Sequence, residues 1–478
     1  MKPTDEQQTI IDCELALDEV LKVRAFAGTG KTTTLVNYAA ARPGMRFLYI
    51  AFNKGVQLEA CKRFGPNVVC KTSHALAFPR FGAKHQNRLV PGFKANCVLE
   101  ALKLETFEDA KFAIDTLQNY LVSSDDKVTK SHIPFAAKAY YHQFNKPVPD
   151  LVDWANQLGR LMCNGTDPQI GMTHDGYLKL YQLSNPDLNY DCIMLDEAQD
   201  INPVTAAFVF RQKGVRKILV GDPNQQIYSF RGAKNSMDAI EATHNLYLTT
   251  SFRFNGKIAS IANMMLKHFK GEKKKLVGLK QKKGDLLHRQ QTIIARTNSR
   301  IFDEAITQIA KKKKISFVGD IAGYRFHRIL DCYYLYIDQK HKASDPYLKS
   351  FEGFALLEIY AKAVEDKELL SMCGVVRKHR HNIPIQVRAI QAAVVSTAEA
   401  DVILTTAHKA KGLEWPRVRL ADDFPDLVVD NERVAPSGIE SDEVNLIYVS
   451  MTRAMDKLSF DKECSVIKFI ESCQREQA

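Results

Sequence analysis

Short apolar runs bounded by polar or glycine-containing segments recur along the chain. Five of them have the length and the β-branched or aromatic content of buried strands: residues 20–25, 46–52, 68–71, 191–195 and 217–220. Helical patterns separate the first three runs. Strands that alternate with helices of this length predict an α/β fold built on a parallel, doubly wound sheet.

A second α/β pattern begins after residue 249, and mainly helical patterns interrupt both α/β regions. A chain of 478 residues is too long for one hydrophobic core, so we expect several compact parts. The predicted parts are a first core at residues 1–84 and 186–249, a helical insertion at 85–185, a second core at 250–323 and 399–478, and a shorter helical insertion at 324–398.

The segment AFAGTGKTT, residues 25–33, places a glycine-containing loop between a predicted strand and a predicted helix. Such a loop surrounds triphosphate oxygens with backbone N–H groups at a helix N-terminus. Lys31 would reach the β- and γ-phosphates, and the Thr32 hydroxyl would bind Mg²⁺. Ala25 stands where the strict pattern has glycine, so an ordinary strand-to-helix turn is the alternative. The other candidates for nucleotide contact are Ala27, Gly28, Thr29, Gly30 and Thr33.

An acidic pair follows the apolar run at residues 191–195. A carboxylate at the C-terminal end of a parallel strand faces the phosphate loop, where Asp196 can hold Mg²⁺. The adjacent Glu197 can orient or deprotonate an attacking water. Two solvated acids in a loop are the alternative. Gln7 is a candidate for reading adenine, because a carboxamide offers one donor and one acceptor; a surface glutamine is its alternative.

Charge and cysteine usage narrow the class of protein. The chain carries 66 Lys and Arg against 55 Asp and Glu, a net charge of +11. This balance favours a polyanionic partner without distinguishing DNA, RNA or a membrane surface. Ten cysteines without a CxxC pair favour a reducing compartment over structural zinc. The lysine-rich runs at residues 267–283 and 311–314 are interpreted as solvated faces, with nucleic-acid contact or nuclear targeting as alternatives.

Membrane association is not predicted. The first residues are polar, and no apolar run approaches the roughly 20 residues that span a bilayer. We expect neither a secretory signal nor a membrane segment.

Ten short motifs occur in a fixed order, with matched positions from Gln7 to Arg453: TDEQQ, AGTGKTT, AFNK, KTSH, DEAQD, GDPNQQIYSFRGA, TTSFRF, ARTNSR, TAHKAKGLEW and IYVSMTRA. Through these ten motifs the chain resembles the UvrD/Rep/PcrA helicases of superfamily 1, especially the shorter branch that includes the F-box DNA helicases. The resemblance implies two RecA-like cores with helical insertion subdomains, which clamp ATP and Mg²⁺ between them. It also implies a DNA-stimulated ATP hydrolase that moves 3′ to 5′ along single-stranded DNA.

The resemblance assigns further residues to the nucleotide. Gln225 matches the γ-phosphate sensor, and Arg253 and Arg453 match the two arginines that stabilise charge on the transferred phosphoryl group. Three other matched positions complete this set: Phe252 against adenine, Glu414 near the ribose, and Gly412 in the same motif as Glu414.

The resemblance also implies contacts to single-stranded DNA. Aromatic rings stack on bases without reading their sequence, and neutral polar side chains donate to phosphate oxygens. The matched residues are Tyr228 and Phe230 for stacking, Arg231 for coupling to the strand, and Thr72, His74, Asn298 and His408 for the backbone. Core packing of the two rings and structural roles for the two histidines are the alternatives.

Three functions are compatible with these residues. The first is a translocase and helicase that acts on single-stranded DNA and strand junctions in replication, repair or recombination. The second is a motor that removes DNA-bound proteins, such as recombinase filaments or replication proteins, with little unwinding. The third is a nucleotide-gated binding switch. We expect a monomer, nucleoid-associated in a bacterial or viral setting and nuclear in a eukaryote.

Overall fold

The computed structural model describes residues 2–227, 236–279, 290–363 and 366–476. The chain divides into two compact units, Met1–Thr249 and Thr250–Ala478. Each unit contains one large parallel sheet and one group of helices inserted between its strands. Along the described ranges, no helix combines the length and the hydropathy required to cross a membrane.

The first unit is built on a six-stranded sheet. Its strands are β1 (Val20–Ala25), β2 (Phe47–Ala51), β3 (Val68–Thr72), β4 (Cys192–Asp196), β5 (Arg216–Gly221) and β6 (His244–Leu248). Their spatial order is β3-β2-β4-β5-β1-β6, and every neighbouring pair is parallel. β4 therefore joins the centre of the sheet although a long insertion separates it from β3. The phosphate loop after β1 and the acidic pair after β4 lie at the same edge, because both strands end there.

Alternate residues of the central strands pack against different layers. Phe47 and Tyr49 of β2 belong to a core cluster with residues of α1 (Asp5–Ile11) and α2 (Lys31–Ala40). Leu48 and Ile50 belong to another cluster with the inserted helices. Successive side chains of a strand point to opposite faces, so an uninterrupted apolar run is buried on both. The remaining core helices are α3 (Lys54–Arg63), α4 (Ser73–Ala77), α10 (Pro203–Phe210) and α11 (Ser236–Ala239).

The first insertion contains five helices: α5 (Ala95–Ala101), α6 (Phe107–Leu121), α7 (Phe135–Gln143), α8 (Leu151–Asn164) and α9 (His174–Leu183). Helical patterns in the sequence predict helices at 95–104, 107–121, 135–144 and 151–163, and α5 to α8 begin at these first residues. The sequence did not predict α9, which Thr173 caps by accepting a hydrogen bond from the Gly176 amide.

The second unit contains a five-stranded parallel sheet. Its strands are β7 (Gln291–Ala295), β8 (Ile315–Phe317), β9 (Val402–Thr406), β10 (Trp415–Leu420) and β11 (Ala454–Phe460), in the order β8-β9-β7-β10-β11. The helices of this core are α12 (Gly256–Lys270), α13 (Asn298–Ala310), α19 (Ala407–Ala410), α20 (Ser441–Met451) and α21 (Ser465–Arg475).

The second insertion is also helical and packs on this core through one cluster that includes Phe302 and Val376. Its helices are α14 (Phe326–Tyr336), α15 (Pro346–Lys349), α16 (Phe354–Ala363), α17 (Lys367–His379) and α18 (Ile383–Ala393). The sequence placed the start of α16 at residue 351. The helix instead begins after Gly353, because glycine is a weak helix former.

Candidate nucleotide and nucleic-acid sites

The phosphate loop joins β1 to α2 with two residues in the left-handed region. Gly28 has φ +75° and Gly30 has φ +79°, conformations that a residue with a Cβ adopts at a cost. Gly30 is the N-cap of α2, and the Thr29 hydroxyl donates to the Phe26 carbonyl at 2.8 Å. The loop therefore presents the free N–H groups of a helix N-terminus, as expected for phosphate binding.

Lys31 contacts the acidic pair after β4. Its Nζ lies 2.9 Å from Glu197 Oε2. Burial by itself lowers the pKa of Lys31, but the negative charges of Glu197, Asp196 and Asp222 outweigh it and raise the pKa above the ordinary value. The ammonium group therefore stays charged within a buried acidic cluster, as a phosphate-binding cation requires.

Thr32 and Asp196 form the second contact between the loop and β4. The Thr32 hydroxyl donates to Asp196 Oδ2 at 2.9 Å, and the Tyr49 hydroxyl donates to the same oxygen at 2.6 Å. Burial and then the nearby charge of Glu197 raise the pKa of Asp196. A hydroxyl beside a buried carboxylate is a donor set of hard oxygens, which Mg²⁺ prefers. The two residues predicted to hold Mg²⁺ are thus adjacent and fit this ion.

Glu197 is held by a residue that the sequence did not single out. The Glu197 backbone has φ +50°, and Gln199 Nε2 donates to its Oε2 at 2.6 Å. Gln199 Oε1 accepts from the Asp222 amide at 3.0 Å. A Cβ on Gly221 would lie 2.4 Å from that Oε1, so glycine permits the close approach. Gln199 therefore links the ends of β4 and β5.

Gln225 lies in the turn after β5. Its Nε2 donates to Asp222 Oδ2 at 2.8 Å, and both side chains are buried. The predicted γ-phosphate sensor is thus at the same sheet edge as the phosphate loop. The predicted DNA residues Tyr228, Phe230 and Arg231 lie outside the described residues.

Gln7 packs against the phosphate loop. Its Nε2 donates to the Thr29 carbonyl at 3.4 Å, and its Oε1 accepts from the Thr4 amide at 3.0 Å in a capping box for α1. Within the same loop, Ala27 is buried and the Thr33 hydroxyl accepts from Arg63 Nη2 at 2.6 Å. Gln7 is therefore a buried link between α1 and the loop, and its contact with adenine stays a prediction.

Two predicted DNA residues lie where β3 leads into α4. The Thr72 hydroxyl caps α4 by accepting from the Ala75 amide at 3.1 Å. His74 Nε2 lies 3.7 Å from Asp175 Oδ1, and Gln118 Nε2 donates to Asp175 Oδ2 at 2.6 Å. Burial raises the pKa of Asp175, but the nearby His74 and the hydrogen bond from Gln118 lower it below the ordinary value overall. Asp175, on the inserted helix α9, therefore stays ionised beside His74.

In the second unit, three of the predicted nucleotide residues form a connected group. Arg253 donates to Glu414 Oε2 at 2.6 Å and to the Thr452 carbonyl at 3.3 Å. Arg453 is only 1% exposed and donates to the Val449 carbonyl at 2.9 Å and to Thr452 Oγ1 at 3.1 Å. Phe252, which is partly buried, precedes Arg253 in the chain. Gly412, which has φ +84°, lies two residues before Glu414.

Asn298 and His408 line a common cavity of about 600 Å³ in the second unit. Its wall includes Arg296, whose guanidinium makes two hydrogen bonds to Glu443 at 2.7 and 2.8 Å. Lys409 Nζ lies 3.5 Å from the centre of the Tyr324 ring at the same cavity, and burial lowers its pKa. The structure thus brings together two predicted DNA residues that are distant in sequence.

Family models match both parts of the chain. The UvrD/REP helicase N-terminal domain matches residues 101–244, and the UvrD-like helicase C-terminal domain matches residues 385–463. The chain therefore contains the N- and C-terminal domains of a UvrD-like helicase. The resemblance drawn from the ten motifs is confirmed, and so is the α/β class with two RecA-like cores.

Similar helicases cover nearly the whole chain. F-box DNA helicase 1 of Gallus gallus is 37% identical over 95% of this chain and 48% of its own length. F-box DNA helicase protein 1 of Schizosaccharomyces pombe is 30% identical over 98% of this chain and 59% of its own length. A probable DNA helicase II homolog of Mycoplasma capricolum is 22% identical over 67% of this chain. This UvrD-like chain therefore spans about half the length of the relatives it matches.

Tyr49, Gln199 and Asp175 are the contacts of this UvrD-like site that the sequence did not indicate. Tyr49 is a polar ring inside an apolar strand, and Gln199 lies within the DEAQD motif, so both carried a weak signal. Asp175 lies in the first turn of a helix from the insertion, and nothing near it in sequence points to His74. Its contact with His74 depends on how the insertion packs.

Proposed function

We propose that this chain is an ATP-dependent motor that moves along single-stranded DNA and separates strands. The observation that carries the proposal is the cluster of Lys31, Thr32, Glu197 and the buried Asp196, with its contacts of 2.9 Å. A cation, a hydroxyl and two carboxylates in contact at a helix N-terminus are the components that phosphoryl transfer to water requires.

Each residue of the cluster has one role in this proposal. Thr32 and Asp196 hold Mg²⁺, which supplies positive charge at the phosphates when bound. Lys31 binds phosphate oxygens, and Gln225 responds to the γ-phosphate. Glu197 orients the attacking water and accepts its proton, while Gln199 fixes the Glu197 carboxylate by the 2.6 Å hydrogen bond.

Two arginines of the second unit are assigned to the same reaction. Arg253 and Arg453 stabilise the negative charge that spreads over the oxygens of the transferred phosphoryl group. Phe252, Gly412 and Glu414 contribute to binding of the base and ribose, as does Gln7. This assignment is supported by the shared contacts of Arg253 and Arg453 with Thr452.

We propose single-stranded DNA and strand junctions as the substrate, with movement from 3′ to 5′. The names of the similar proteins from Gallus gallus and Schizosaccharomyces pombe identify them as DNA helicases. Thr72, His74, Asn298 and His408 bind the phosphate backbone in this proposal. In a eukaryotic cell the protein would act in the nucleus.

Steady-state ATP hydrolysis with and without single-stranded DNA tests the proposal. The wild type should be strongly stimulated by DNA, and both Lys31→Ala and Glu197→Gln should abolish the stimulated rate. Lys340→Ala changes an exposed lysine of the second insertion and should behave as the wild type. Hydrolysis that does not respond to DNA would refute the motor.

Partial duplexes then test direction and strand separation. A duplex with a 3′ single-stranded tail should be unwound and one with a 5′ tail should not, and the opposite preference would refute the proposed direction. A protein that displaces DNA-bound proteins but leaves naked duplexes intact would instead be the remover of bound proteins.

A further inference from the structure

A cationic surface with exposed aromatic rings lies on the first insertion. Between Lys127 and Pro149 the chain contains four lysines and no aspartate or glutamate. The lysines are Lys127, Lys130, Lys138 and Lys146, and all four are exposed. None of them pairs with a carboxylate among the described residues. The adjacent Asp125 and Asp126 contact His132 and Arg211 instead, so the four lysines concentrate positive charge on this segment.

The helix α7, Phe135–Gln143, gives the surface its shape. Phe135 is 84% exposed and Lys138 and His142 are exposed, at the i, i+3 and i+7 positions of one helix face. The opposite face buries Ala137 and Tyr141 in a small core. We call the exposed set of Phe135, Lys138, His142, Phe144 and Lys146 the α7 surface.

Packing beneath the α7 surface holds it in place. Tyr141 donates to Asp109 of α6, and Phe112 of α6 contacts the Tyr140 ring with centroids 5.4 Å apart. Tyr140 in turn contacts the Phe144 ring at 4.8 Å. Phe135, Lys138 and His142 are therefore presented by a packed helix, and Phe144 and Lys146 follow its C-terminal end.

We propose that the α7 surface is an additional binding site for single-stranded nucleic acid, with bases stacked on Phe135 and phosphates beside the lysines. An exposed ring among unpaired cations matches a chain that offers flat bases and negative charge at regular intervals. A lipid surface would match the lysines, but a nine-residue helix with one strongly exposed apolar side chain on this face offers little area for insertion. The proposal rests on the proposed function and adds a second contact for the same substrate.

Binding of a dT oligonucleotide tests the stacking. Phe135→Ala should bind it about tenfold more weakly, the loss of one base stack. An abasic oligonucleotide keeps the phosphates, so wild type and Phe135→Ala should bind it equally. Lys138→Ala should reduce the slope of log K against log salt concentration by about 0.7, the value for one phosphate on a single strand. Ile385→Ala, which trims a side chain that is 68% exposed elsewhere, serves as the matched control.

Phe135→Trp gives a direct readout, because a base stacked on the indole quenches its fluorescence. The proposal would be overturned if the dT oligonucleotide does not quench this fluorescence. It would also be overturned if Phe135→Ala loses the same affinity for dT strands and for abasic strands. Binding to vesicles of anionic phospholipid that Phe135→Ala abolishes, with dT affinity unchanged, would assign the α7 surface to a membrane instead. If Phe135→Ala keeps DNA-stimulated hydrolysis and its affinity for dT is unchanged, only the proposal for the α7 surface is refuted. If DNA does not stimulate hydrolysis by the wild type, the motor is refuted.

Discussion

Lys31 Nζ lies 2.9 Å from Glu197 Oε2, so the predicted phosphate-binding cation and the predicted general base form an ion pair. The Lys31 and Glu197 side chains are 12% and 27% exposed. Each group therefore satisfies the charge of the other in the described structure, and a phosphate must compete with Glu197 for the Lys31 ammonium. Because of this competition, we expect a substitution that removes the Glu197 charge to strengthen ATP binding and to slow ATP hydrolysis.

Glu197→Gln is expected to bind ATP more tightly while hydrolysing it more slowly. The amide no longer neutralises Lys31, so the ammonium is available to phosphate. Loss of the proton acceptor should lower kcat by about 10²- to 10⁴-fold. Titration with a fluorescent ATP analogue and single-turnover hydrolysis measure the two effects. Lys31→Ala is the control and should lose binding; weaker binding by Glu197→Gln would contradict the competition.

Asp196→Asn should stabilise the nucleotide-free protein at neutral pH. Burial and Glu197 raise the pKa of Asp196 above its ordinary value of 3.8, so between the unfolded and the folded pKa the folded state keeps a proton that the unfolded state has lost. The free energy of unfolding therefore falls as the pH rises from the unfolded pKa of Asp196 toward its folded pKa. Asparagine does not ionise, so the variant does not lose this stability. Each 1 kcal/mol gained should raise Tm by about 2–4 °C.

Thermal unfolding of the Asp196 variant from pH 4 to 8 measures this effect, beside Mg²⁺-dependent hydrolysis, which should be lost. Asp430→Asn is the matched control, because Asp430 is exposed and asparagine tolerates its φ of +50°. A lower Tm for Asp196→Asn at neutral pH would show that the carboxylate stabilises the fold.

Gln199→Ala should lower both hydrolysis and stability. The substitution leaves the buried Asp222 amide without its acceptor, at a cost of about 1–3 kcal/mol. It also removes the 2.6 Å hydrogen bond to Glu197, so kcat should fall while ATP affinity is largely kept. Urea unfolding and steady-state kinetics check the two effects. An unchanged kcat in a destabilised protein would limit Gln199 to a structural role.

Asp175→Asn should weaken binding of single-stranded DNA through His74. The carboxylate lies 3.7 Å from His74 Nε2 and helps to hold the imidazole that is proposed to contact phosphate. The pKa of Asp175 is lower in the folded protein than in the unfolded chain, so its ionised form stabilises the fold at pH values above the unfolded pKa. This stabilisation is lost as the pH falls through the folded pKa. DNA affinity at two ionic strengths measures the effect, with His74→Ala as comparison. Additive losses in the double variant would show that the residues act independently.

Arginine-to-lysine substitutions should separate the two arginines of the second unit. Arg453→Lys loses directional hydrogen bonds to buried acceptors. Each buried acceptor left without its hydrogen bond costs about 1–3 kcal/mol of stability, so both Tm and the rate of hydrolysis should fall. Arg253 makes a partly exposed ion pair with Glu414, and its loss should cost only about 0–1 kcal/mol of stability. Arg253→Lys should therefore lose hydrolysis with Tm nearly unchanged. Equal changes in Tm would contradict this distinction.

The sequence alone predicted most of the local elements and the residues of the candidate nucleotide site. Buried strands such as Phe47–Ala51 are continuous apolar runs, and helices such as Phe107–Leu121 have a clear period and a capping threonine. The loop residues Lys31 and Thr32 and the acids Asp196 and Glu197 belong to short motifs whose geometry is set by a strand end and a helix start. Local patterns are sufficient for such features, because they depend on neighbours in the chain.

Only the tertiary structure decided which side chains hold these residues in place. Tyr49 reaches Asp196 because β2 and β4 are neighbours in the sheet, and Gln199 reaches the Asp222 amide because β4 and β5 are neighbours. Asp175 reaches His74 through the packing of an inserted helix. Strand order and helix packing arise from burial summed over many distant residues, so no short stretch of sequence contains them.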